Sequence, residues 1–401
     1  MSQYLLDWLN LLVRYIHVIA AISWIGASFF FVWLDNHLVA PKDPRDSEDG
    51  VSGELWSVHG GGFYHNQKYP TGPKRQPLTH DLHWFKWEAY TTWLSGLVLF
   101  AVIYWVGAAL FLVDRSVMDL SIPVAIAISA GSLAVGWFVY DALCKAFRAQ
   151  PRALAASVYA LAVLAAWGFF HLFSAHAAFL ETGALMGTIM AANVRFVIIP
   201  GQRRVVDAIR AGQPPDPQYG KNGKTRSVHN SYFTLPVIFT MISGHYPMIY
   251  GSANGWLALV LIGSAGVLVR HFFILGHKGR SIIALPIAAA ALLGVVITML
   301  APHTQAANVG HGDAPVAFSD VERIVAVRCA VCHAEHPTYH GFASAPMGLL
   351  LDTPAHIWAQ AANIDRVAVT STVMPLGNAT NMTPSERAIL GRWIAAGAKG
   401  E

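Results

Sequence analysis

The sequence predicts an all-α protein, an eight-helix transmembrane bundle followed by a small α-helical domain. Three observations carry that expectation. The chain is 54% hydrophobic and only 12% charged, about half the charged fraction of a soluble domain. Eight stretches each supply the roughly 20 mostly apolar residues that a helix needs to cross a bilayer. Beyond residue 318 the composition becomes that of a soluble domain with short helical patterns.

In order, the apolar stretches are 11–34, 85–111, 121–141, 153–173, 176–200, 231–251, 256–275 and 281–300. The fourth and fifth nearly touch, which demands a tight turn near Ser174. The first run is long enough to span and no small-residue cleavage site follows it, so it reads as a span, not a signal peptide. Lys and Arg set the orientation. The loop after the first span holds Lys42, Arg45, Lys68, Lys74 and Arg75; the loop after the third holds Lys145, Arg148 and Arg152. Arg203, Arg204, Arg210, Lys221, Lys224 and Arg226 follow the fifth, and Lys278 and Arg280 follow the seventh. The alternate loops hold Arg115 alone. The odd loops are therefore expected in the cytoplasm and both termini outside. This divides the chain into a membrane domain, 1–300, a Gly-, Ala- and Pro-rich linker, 301–318, and an outer domain, 319–401. The lipid bilayer is the expected surroundings, and no nucleic-acid partner is expected.

The outer domain opens on Arg328-Cys329-Ala330-Val331-Cys332-His333, a C-x-x-C-H motif that reads as covalent attachment of one haem c. Two thiols about one helical turn apart can both reach the porphyrin vinyl groups, and the adjacent His333 can then ligate the iron. Met347, Met374 and Met382 follow, and a Met at the sixth position favours reduced iron. Met374 is preferred because Pro375 favours an extended loop that can lie across the haem face. Zinc would need two further ligands, and no second Cys pair exists. A redox-active C-x-x-C would need a βαβ context, which the pattern lacks. Cys144 stands alone, so no disulfide framework is expected. The segment resembles a small class I cytochrome c, and its end, Ser385-Glu386-Arg387-Ala388-Ile389-Leu390-Gly391-Arg392-Trp393-Ile394, is similar to the terminal helix of that family. Haem is attached to such domains on the outer side of the bacterial inner membrane, the side to which the loop charges assign the C-terminus.

Ionisable residues inside spans are candidates for function. Helix direction puts His17, His171, His176, His245 and Glu181 in an outer layer, and Asn193 and Arg195 in an inner one. His17, Glu181, Asn193 and Arg195 are the candidates for catalysis. Asn193 and Arg195 are two apart and face different sides of their helix. Lys86, Arg270 and His271 read as positive-inside anchors, and Arg14 as a snorkelling side chain. Arg323, Arg328 and Arg366 could steer an acidic partner or form a solvated face.

The membrane half resembles the integral-membrane urate oxidase (urate hydroxylase) family of bacteria, in which such a domain precedes cytochrome c. Two segments carry the resemblance. One is Arg14-Tyr15-Ile16-His17-Val18-Ile19-Ala20-Ala21-Ile22-Ser23-Trp24-Ile25-Gly26. The other runs from Gly183-Ala184-Leu185-Met186-Gly187-Thr188 through Asn193-Val194 to Ile199-Pro200-Gly201-Gln202-Arg203. The resemblance implies oxidation of urate to 5-hydroxyisourate. It also implies that electrons leave through cytochrome c, toward a terminal cytochrome oxidase or a soluble cytochrome c, and not to oxygen as peroxide. The outer histidines then have two readings: they form the urate site, or two of His17, His171, His176 and His245 hold a haem b while urate binds near Asn193 and Arg195. A quinol-oxidising or purely electron-transferring membrane cytochrome is the competing reading.

Overall fold

The computed structural model describes residues 3–75, 77–301, 316–339, 342 and 344–399. Most of the expected linker, 302–315, lies outside the described residues.

Helix α1 (Gln3–His37) begins the bundle and α2 (Pro44–Asp49) opens the first loop. That loop then forms a two-stranded antiparallel hairpin, β1 (Gly53–His59) and β2 (Gly62–Lys68), in which Trp56 pairs with His65. The all-α expectation is corrected here. Gly60 and Gly61 have φ of 58° and 81°, the left-handed pair that a two-residue hairpin turn requires. Helix α3 (Trp87–Phe100) runs on through a wider π turn, Ala101–Val106, to the short α4 (Ala108–Phe111). Helices α5 (Ile122–Ala146) and α6 (Pro151–Phe170) follow, and the chain reverses at Ser174. The Ser174 hydroxyl caps α7 (Ala175–Ala192) by accepting from the Ala177 amide, and it donates to the Phe111 carbonyl. Pro200 cannot donate to the helical ladder. Just before it the helix widens into a π segment, Asn193–Ile198, and then continues as α8 (Ile199–Arg210).

After α9 (Pro217–Ser243) come the short α10 (Pro247–Tyr250), α11 (Gly255–Gly276) and α12 (Ala284–Met299). Among the described residues, six helices are long and apolar enough to cross a membrane: Tyr4–His37, Trp87–Val106, Ile122–Ala146, Pro151–Phe170, Ala175–Arg210 and Gly255–Gly276. The expectation of eight changes at two places. The stretch 231–251 is the second half of α9, whose first half is polar, and it breaks at Gly244. The stretch 281–300 yields the 16-residue α12, about 24 Å of helix at 1.5 Å per residue. The core of the bundle lies among α3, α5, α6 and α7, where Tyr104, Leu133, Tyr140, Phe169 and Phe173 are buried.

The C-terminal unit contains α13 (Phe318–Arg328), α14 (Pro354–Ala359), α15 (Ala361–Ile364) and α16 (Pro384–Ala395). Val321, Val325, Leu390 and Trp393 pack α13 against α16. A capping box starts α16: Thr383 accepts from the Glu386 amide while Glu386 reaches back to the Thr383 amide. Residues 371–378 rest on the bundle. Val373 packs with Tyr250 and Leu259, and Gly377 approaches the carbonyls of Val113 and Leu110 so closely that a Cβ would lie 2.6 and 3.2 Å from them.

Candidate functional site

Three groups of chemistry-bearing residues result. The first is a buried polar layer built around α9. Asn193, fully buried in the π segment, donates from Nδ2 to the Tyr140 hydroxyl at 3.1 Å and to Asn230 Oδ1 at 2.9 Å. The Tyr140 hydroxyl meets His229 Nδ1 at 2.8 Å, and Asn230 donates to the Met190 carbonyl at 3.0 Å. Arg226 reaches Asn193 Oδ1 at 3.4 Å and pairs with Asp141 at 2.5 Å, stacked over the Tyr140 ring at 5.0 Å. Each Nδ2 proton of Asn193 is therefore used inside the protein. Turning to the next face of α9, the Ser231 hydroxyl accepts from Arg270 Nε at 2.8 Å, and Tyr232 meets His271 Nδ1 at 2.6 Å. Arg270 is 5% exposed, so it is no surface anchor. Nothing in its local sequence pattern separated it from one, except that residues 217–312 contain no Asp or Glu to pair with it.

Arg195 points elsewhere. It lines an open cavity of about 560 Å3 with Lys86, Trp87, Tyr90, Arg203 and Arg204, and none of these cations has a carboxylate partner among the described residues.

The second group lies toward the C-terminal unit. His176 Nδ1 meets the Tyr104 hydroxyl at 2.9 Å, and its ring packs edge-on against Tyr250. A Cβ on Gly244 would lie 2.7 Å from His176 Nε2, so that nitrogen abuts the backbone of α9's end. Glu181 is fully buried and accepts from Ser129 at 2.7 Å and Ser132 at 3.0 Å. His17 is directed at α3, donating from Nδ1 to the Thr92 carbonyl at 3.0 Å, with its ring flat against Gly96. His171 and His245 are exposed, and His171 bonds back to the Trp167 carbonyl. Of the four histidines from which a haem b would draw two ligands, His171 and His245 are exposed, while His17 and His176 face α3 and Tyr104. Among the described residues no group of three or more His, Cys, Asp or Glu comes together as a metal site.

The third group is the C-x-x-C-H segment. His333 Nδ1 donates to the Leu349 carbonyl at 3.0 Å, which leaves Nε2 as the free lone pair. Cys329 and Met374 lie on the same small core. The other methionines are placed differently, since Met347 is fully exposed and Met382 is buried at 3%. Arg387 fixes the Met374 loop by donating from Nη1 to the carbonyls of Ala368 and Met374 at 2.6 and 2.7 Å. Burial pushes the Cys329 thiol up to about 12 and raises that of Cys332, opposite to the lowered thiol of a redox-active pair. Arg328 is not a steering charge: it is 23% exposed and pairs with Glu386 at 3.0 Å.

Residues 3–301 match the family model described as urate oxidase N-terminal. A search of curated proteins gave no match, and neither did a search of solved structures. Because that one model covers the whole bundle and well over half of the sequence, the chain belongs to the urate oxidase N-terminal family, and membership suggests urate oxidation.

Proposed function

We propose that the protein is a membrane-bound urate hydroxylase that converts urate to 5-hydroxyisourate and delivers the electrons to the respiratory chain without forming peroxide. The observation that carries this reading is the joining, in one chain, of a urate oxidase N-terminal region to a C-x-x-C-H unit whose Met374 loop docks on the bundle. Conversion of urate to 5-hydroxyisourate removes two electrons and two protons and adds one water. The bundle must therefore bind a planar purine anion, admit water and take up protons.

The residues of the C-terminal unit fit a haem c. Cys329 and Cys332 would attach it, and His333 and Met374 would hold its iron. When bound, that group supplies a one-electron acceptor that passes electrons to a terminal cytochrome oxidase or soluble cytochrome c. The charge of the loops supports an orientation with this unit on the outer side of a bacterial inner membrane. Of the catalytic candidates, Glu181 is the enclosed carboxyl group, and it has no cationic partner among the described residues. Its role in this reading is to receive a proton through Ser129 or Ser132. Asn193, with both donors used, positions Tyr140 and Asn230. His17 fixes α1 against α3, and Arg195 belongs to an open cationic groove that draws anions toward the inner rim.

The test is spectroscopic. The detergent-solubilised chain, given urate without oxygen, should develop the reduced c-type band. If quinol reduces it and urate does not, the electron-transfer reading replaces this one. The cluster of His176, Tyr104 and Tyr250 beneath residues 371–378 is what favours that alternative.

A further inference from the structure

We propose that Arg270, with Phe29 and Ser231, forms a binding site for a planar organic anion inside the bundle; naming that anion urate rests on the function proposed above. The Arg270 guanidinium lies 4.0 Å over the Phe29 ring, and its Nε donates to Ser231. Its Nη2 is buried without a hydrogen-bond partner. No carboxylate of the described residues pairs with it. A guanidinium does not give up its proton in a protein. Charge enclosed without a counter-ion is costly, and proteins pair or coordinate it. Among the described residues nothing supplies the compensating charge, which leaves it to a ligand.

The geometry also selects the shape of the ligand. Phe29 covers a face of the guanidinium, so a ligand meets its N–H edge. That edge presents parallel donors in one plane and suits adjacent coplanar acceptors. The anion of an oxidised purine offers carbonyl oxygens and ring nitrogens in this arrangement. Tyr232 and His271, next in sequence to Ser231 and Arg270, add a hydroxyl and an imidazole at the same level of α9 and α11. Arg270 lies 15 residues into the 22-residue α11, about 9 Å from its end, yet it is enclosed by its neighbours and only 5% exposed.

Equilibrium dialysis of the full chain in detergent, with urate, orotate and inorganic phosphate as probes, tests the site. Wild type should bind urate, and Arg270→Gln should bind it about 100-fold more weakly, the loss of a charge-assisted contact. Arg270→Lys should recover part of that loss. Without ligand, Arg270→Gln should melt no lower than wild type, and urate should raise the melting temperature of wild type only. Urate binding by Arg270→Gln at wild-type strength overturns the site. Phosphate binding as tight as urate binding overturns its selection of planar anions. If wild type binds orotate through Arg270 but not urate, the site stands and the urate reading falls; if it binds neither, both fall.

Discussion

Two arginines are enclosed in the bundle on neighbouring faces of α9, and their surroundings differ in one respect. Arg226 has Asp141 at 2.5 Å and belongs to a chain of bonds through Asn193, Tyr140 and His229. Arg270 has a hydroxyl, an aromatic ring and, among the described residues, no carboxylate. A compensated charge binds helices together; an uncompensated one is a cost that a scaffold bears only when something else benefits. The difference assigns Arg226 to architecture and Arg270 to ligand.

The largest effect should come from breaking the paired side. Arg226→Met leaves Asp141 only the exposed Lys145 at 2.6 Å and takes a donor from Asn193; it should lower stability by about 2–3 kcal/mol, read as a fall in melting temperature in detergent. Adding Asp141→Leu should restore most of it, because neither charge then remains. Little recovery in the double variant would mean that Arg226 acts through Asn193 and not through Asp141. Next is Asn193→Leu, which leaves the Asn230 carbonyl oxygen without its donor and should cost about 1–3 kcal/mol. It should leave urate affinity within a few fold of wild type, since both Asn193 donors already serve the protein; an effect as large as that of Arg270→Gln would merge the two regions into one site.

The smallest effect concerns a third arginine, Arg328, which lies in the C-terminal unit, apart from the long apolar helices. Burial works against ionisation of its partner Glu386, but the Thr383 amide and the Arg328 guanidinium outweigh it and hold the carboxyl below the usual range. The folded value is thus lower than the unfolded one. The stabilisation is complete above the unfolded value of roughly 4.3 and is lost as pH falls through the folded value. Glu386→Gln should remove that acid-dependent part, on the order of 1 kcal/mol, in melts of the C-terminal unit between neutral and acid pH. A variant with unchanged acid sensitivity would show that Asp352, also held low by the Glu335 amide and His356, governs it instead.

Much of this arrangement was legible beforehand. Long apolar windows locate helices because a bilayer imposes length and polarity together, and Ser174 marked a reversal because so little chain separates two such windows. The hairpin at 53–68 was not legible: it sits in a charged loop, and its signal was the Gly60-Gly61 pair alone. Asn193 stood out as an amide in an apolar helix, but its partners come from α5 and α9, which no local pattern connects. Arg270 was read as an anchor because its position near the inner end of a span is where such anchors occur. Only packing against Phe29 and Ser231 distinguishes it. The same limit applies to His171 and His176, five residues apart, of which one faces outward and the other meets Tyr104.

The seat of residues 371–378 on the bundle has a kinetic consequence. Gly377 and Gly251 both sit where a Cβ would collide, with bundle carbonyls in one case and with the Val373 side chain in the other, so the two surfaces meet without intervening side chains at the two glycines. Both belong to one polypeptide, and their encounter is a first-order event with an effective concentration fixed by the tether. Dilution of the protein cannot slow it, and no diffusing partner has to find this end of the bundle. Exchange across the contact should therefore be unimolecular, leaving the bimolecular steps to the ligand that enters the bundle and to whatever arrives at the opposite side of the C-terminal unit.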